Sequence, residues 1–110
     1  MIKEADIEKA IDWLRDNAPV AAQARAERIY VEEYRKTVKA RLMSAVADKS
    51  IGAQEVFAYD HKEYRAHLEA IRDAVRVDEE FRFLREAALA KVNAWQTQSA
   101  NNRAEGKASA

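Results

Sequence analysis

Cysteine is absent from this 110-residue chain, glycine occurs twice and proline once. Without cysteine, neither a disulfide framework nor a zinc–thiolate scaffold can form. Two glycines are too few for the tight turns of a β-sandwich or barrel. No apolar run approaches the roughly 20 residues that span a bilayer, so no membrane contact is expected. The first residues carry acids early and have no apolar h-region, which predicts a cytoplasmic chain without a secretory signal. Large apolar residues are also sparse. The apolar share is 48%, but 23 of its members are alanine, which leaves 30 larger ones. An excess of one charge is missing too, with 19 basic against 19 acidic residues. A helical chain of one domain is what these absences leave.

The spacing of the apolar residues predicts an all-α fold, a short N-terminal helix followed by a long antiparallel helical hairpin with a short helix at its turn. In the first helix, Asp6 to Asn17, the residues Ile7, Ala10, Ile11 and Leu14 share one face. Asp6 is its candidate N-cap, and Pro19 disfavours helical geometry at Ala18, which predicts a stop there. The second helix runs from about Val20 to Asp48 with a stripe of Val20, Ala24, Val31, Tyr34, Val38, Leu42 and Ala45. Ser50 is a candidate cap for a short helix over 53–59, anchored by Val56 and by Tyr59 or Phe57. Asp60 and Glu63 have the spacing of a capping-box variant that opens the last helix. That helix continues to about Gln98 on a stripe that includes Tyr64, Leu68, Ile71, Val75, Phe81, Leu84, Ala88, Val92 and Trp95. Ala74, Phe81, Ala88 and Trp95 lie seven apart, the period of a helix packed along a partner helix, while Asp78 interrupts the seam. Residues 1–99 are therefore expected to form one domain and 100–110 a flexible tail.

At about 38 residues the last helix would reach roughly 57 Å and the second only about 40 Å. The excess apolar stripe predicts a homo-oligomer or a partner protein.

Charge is unevenly placed. Residues 1–19 carry net −2, residues 20–49 net +3 and residues 50–110 net −1. Arg25, Arg28, Arg35, Lys36 and Lys39 recur near one polar face of the second helix and form a candidate single-stranded nucleic-acid contact. The plainer reading is a solvated face with intrahelical pairs such as Glu32–Lys36. The balanced total charge favours that reading.

Groups for catalysis do not converge in the sequence. Glu63 and His67 are four apart and could share a proton or a metal, but a di-iron bundle needs a second such motif and none is present. No phosphate loop, nucleophile elbow or HExxH motif occurs. The adjacent acids Asp78, Glu79 and Glu80 point away from one another on a helix. No enzyme activity, cofactor, metal or small-molecule substrate is expected. The aromatics Tyr30, Tyr34, Tyr59, Tyr64, Phe81, Phe83 and Trp95 read as core. Trp13 lies one residue off the first stripe, and with Phe81 and Trp95 it is a candidate partner-binding residue.

One pattern resembles a known group. Ala26-Glu27-Arg28-Ile29-Tyr30, Tyr34-Arg35-Lys36 and Leu42-Met43 are followed by Ala53-Gln54-Glu55, Ala58-Tyr59, Tyr64 and Ala74. Val92-Asn93-Ala94-Trp95-Gln96 and Asn102-Arg103-Ala104 complete it. Over residues 24–105 this resembles small, mostly uncharacterised phage and prophage helical accessory proteins. The resemblance implies a phage accessory or adaptor protein of the host cytoplasm, from a replication or recombination gene cluster, and brings no catalytic residue. Inhibition of a host defence protein by a rigid helix face is the other expectation compatible with such a chain.

Overall fold

The computed structural model describes residues 2–109 and is helical through almost all of them. Helix α1 spans Glu4–Ser44, α2 Ile51–Asp60 and α3 Lys62–Ser109. No strand occurs among the described residues, so the all-α expectation holds. The chain divides into two compact units. One comprises residues 22–79, the other the first 21 residues together with those from Glu80 onward.

The separate N-terminal helix is not observed. Helix α1 passes through Pro19 without a break. Proline cannot donate to the carbonyl of Arg15, four residues earlier. Ala18, Pro19 and Val20 are all exposed, as is Arg15, so the freed carbonyl is on the water side and is not orphaned. Strong helix formers follow in Ala21, Ala22, Gln23 and Ala24. A turn earlier, the Asn17 side chain donates to the Trp13 carbonyl at 3.0 Å. Asp6 is not the N-cap either. It lies one turn inside the helix, where its Oδ2 accepts from the Lys3 N–H at 3.3 Å, the backward half of a capping box.

Helix α1 ends earlier than the stripe predicts, at Ser44, and residues 45–48 form a turn. The Gln54 side chain holds that turn by donating to the carbonyls of Ala47 and Lys49 at 3.3 and 2.7 Å. Ser50 caps α2 as expected, its hydroxyl accepting from the Ala53 N–H at 3.2 Å. The predicted cap at Asp60 falls instead on His61. Asp60 completes α2, and His61 Nδ1 accepts from the Glu63 N–H at 3.0 Å. Helix α3 persists past the polar residues 96–102 to Ser109, where the composition predicts fraying from about residue 100. Ala100, Arg103, Ala104 and Glu105 supply intrinsic helix propensity there. Met1 and Ala110 lie outside the described residues.

Within residues 22–79, α1 and α3 run antiparallel with α2 at the turn. Arg41 meets Glu63 at 2.8 Å, the Val31 carbonyl meets His67 Nε2 at 2.6 Å, and Arg28 meets Asp78 at 3.2 Å. The core is Val38, Leu42, Ala58 and Tyr64, with Met43 and Phe57 packed on it. Ala58 and Phe57, not Val56 and Tyr59, seat α2; Val56 is 69% exposed. Alanine at 58 lets the short helix approach α1 closely enough to bury that residue completely. In the other unit the buried residues are Ile7 and Ala10.

Candidate functional site

The five candidate basic residues of α1, Arg25, Arg28, Arg35, Lys36 and Lys39, do not form one stripe. Arg28 is held by carboxylates, with Glu32 at 2.9 Å, Glu79 at 3.1 Å and Asp78 at 3.2 Å. Glu32 first, then Glu79 and Asp78, raise its pKa still further above the ordinary value. Asp78 and Glu79 are adjacent in sequence, yet both reach the same guanidinium, which overturns the expectation that they diverge. The interruption of the apolar seam at Asp78 thereby acquires a cause, since the carboxylate faces α1 to pair with Arg28. A cation surrounded by three carboxylates offers little to a phosphate. Lys36 pairs with Glu33 at 3.1 Å rather than with Glu32. Arg25 is exposed on the helix.

Arg35, Lys36 and Lys39 converge with Tyr59 at the end of α2 and Tyr64 at the start of α3 around a cleft of about 320 Å³. Each wall has a local reason. Tyr64 is buried in the core and fixes its ring; Tyr59 meets it edge to face with centroids 5.2 Å apart. The Lys39 ammonium sits 4.9 Å from the Tyr59 centroid and 3.7 Å from Glu55. Its pKa is raised, by Tyr59 most and by Glu55 less, against desolvation that lowers it. Neither tyrosine stood out in the sequence as part of this cleft. The signal was present in the pairing of a short capped helix with the basic face, but spacing along one helix cannot show what another helix brings to it.

The partner candidates divide in a similar way. Trp13, Phe81 and Trp95 are all half-buried. Trp13 lines a groove of about 290 Å³ with Ala10, Leu84, Ala87 and Ala88 as its floor and Asp6, Lys9 and Lys91 at its rim. The more exposed aromatics are others. Tyr30 is 62%, Phe83 59%, Tyr59 47% and Tyr34 37% exposed, so the assignment of these four to the core is corrected. Tyr30 stacks on Tyr34 at 5.8 Å, and the Arg82 guanidinium covers the Phe83 ring at 4.6 Å. Phe83 lies off the 81–84–88 stripe, and that offset could have marked it as outward-facing.

Glu63 and His67 take separate partners. Glu63 binds Arg41, and His67 Nε2 faces the Val31 carbonyl. A carbonyl only accepts, so Nε2 carries the proton and is committed to joining α3 to α1. No group of three or more metal-ligating side chains occurs among the described residues. No helix among them is long and apolar enough to cross a membrane. No protein-family model matches the chain, and no curated protein or solved structure matches it.

Proposed function

We propose that the chain is a non-enzymatic adaptor that works by protein–protein contact through its helix faces, with a second copy of itself or a partner protein as the counterpart. The observation that carries this reading is the imbalance between buried and exposed apolar surface. Six hydrophobic residues are buried among the described ones, and two of those are alanines. Twelve large apolar side chains remain between 37% and 69% exposed.

The resemblance of residues 24–105 to phage accessory proteins supplies the context of the proposal, phage DNA replication or recombination in the host cytoplasm. Light scattering on the full chain at micromolar concentration, together with affinity capture from nuclease-treated host extract, tests the reading. A stable assembly or a captured replication or recombination protein supports it. A strict monomer that captures nothing sinks it.

A further inference from the structure

We propose that the cleft between α1, the end of α2 and the start of α3 binds the phosphate of a nucleotide, free or within a single strand, through Arg35, Lys36 and Lys39. This stands independently of the adaptor reading, because it rests on different residues. Three cations within little more than one turn of a single helix line this opening together with two tyrosines. Arg35 has no ion-pair partner among the described residues, and its planar fork suits phosphate oxygens. Lys36 and Lys39 are each held by one carboxylate, the exposed Glu33 and the half-buried Glu55. Such pairs on the surface are weak, so a phosphate competes with them for the ammonium groups. Arg28, by contrast, is already enclosed by three carboxylates and is excluded from the site.

The walls are pre-organised, which lowers the cost of binding. Tyr64 is anchored in the core, Tyr59 leans on it, and the Lys39 ammonium lies over the Tyr59 ring. The volume, about 320 Å³, corresponds to about ten waters at ~30 Å³ each. That is more room than a bare phosphate needs. Tyr59 remains 47% exposed, and its ring offers the stacking surface that distinguishes a nucleotide from inorganic phosphate.

The test uses the full chain and a fluorescein-labelled oligo-dT of about 15 nucleotides, followed by anisotropy from about 20 to 200 mM salt. AMP, inorganic phosphate and unlabelled oligo-dT serve as competitors. Three contacts predict a log–log salt slope of about 2 for a single strand. The double variant Arg35→Ala/Lys39→Gln should weaken binding at least about tenfold and bring the slope below about 1. Arg15→Ala, at a residue outside the cleft with a side chain 70% exposed, should change affinity less than about twofold. Arg35→Ala alone carries the test should the double variant melt early. Displacement by AMP assigns the site to free nucleotides, and displacement by oligo-dT alone assigns it to strands. Absence of binding to both overturns the proposal. So does equal loss in Arg15→Ala, or competition by inorganic phosphate as strong as that by AMP.

Discussion

Replacing Pro19 by alanine isolates the point at which the structure departs most from the local sequence rule. In a continuous α1 the substitution restores an N–H that can donate to the Arg15 carbonyl. Position 19 is exposed, so the new methyl meets no packing constraint. Proline inside a helix costs ~3 kcal/mol relative to alanine. Part of that gain is lost, because proline also restricts the unfolded chain, an effect of roughly 0.4–1 kcal/mol. The net expectation is about 2 kcal/mol of added stability. Unfolding entropy of ~2.1 cal/mol/K per residue, over 110 residues, gives about 0.23 kcal/mol/K for cooperative unfolding. Pro19→Ala should therefore raise Tm by about 9 °C, read by circular dichroism at 222 nm. Amide exchange supplies the second readout, since the N–H introduced at position 19 should be protected. An unchanged or lower Tm, with that amide exchanging at the free-chain rate, would show two helices meeting at 19 and refute the continuous helix.

Two further outcomes follow from the core and the cleft. Leu42→Ala, at a side chain only 5% exposed beside Ala58 and Tyr64, should cost about 3 kcal/mol in chemical denaturation; a loss below about 1 kcal/mol would mean that the core is not packed as described. Lys39 has a raised pKa in the folded chain, so its contribution is whole below the ordinary lysine value of 10.5 and fades as pH rises through the higher folded value. The stability gap between wild type and Lys39→Gln should accordingly stay constant from pH 7 to about 10 and narrow above it; a gap that already narrows between pH 7 and about 9 would put the Tyr59 and Glu55 contacts in error.

Period and propensity carried the all-α class, the short helix between two longer ones, the Ser50 cap and the inward placement of Val38, Leu42 and Tyr64. These features are set by neighbours within a turn or by the direction of an apolar stripe, and both can be read along one strand of text. Failure came where a local rule met a tertiary circumstance. Pro19 is a stop in isolation, but on a solvated face it removes one bond without stranding a carbonyl. Asp60 has cap spacing with Glu63, yet the His61 ring takes the bond. The candidate cleft was half visible. Arg35, Lys36 and Lys39 share spacing, but Arg28 has the same spacing and a different fate, decided by Asp78 and Glu79 some fifty residues away. No periodicity encodes that encounter.

The same scarcity that makes the chain helical also shapes what it can do. Alanine supplies helix propensity without side-chain entropy, so long helices form even where little apolar surface is covered. Alanine also contributes little burial, and the large residues that could thicken the core are spread along both long helices instead. Leu84, Leu89 and Phe83 on α3, and Ile11, Val20 and Ile29 on α1, are each at least 45% exposed. Keeping them outside costs solubility unless something covers them. In the proposed assembly, burial would stabilise the helices and recognise the partner with the same atoms, so Leu84→Glu or Leu89→Glu should weaken association while leaving monomer helicity intact. Loss of helicity in those variants at the same protein concentration would instead mean that the exposed row supports the fold itself.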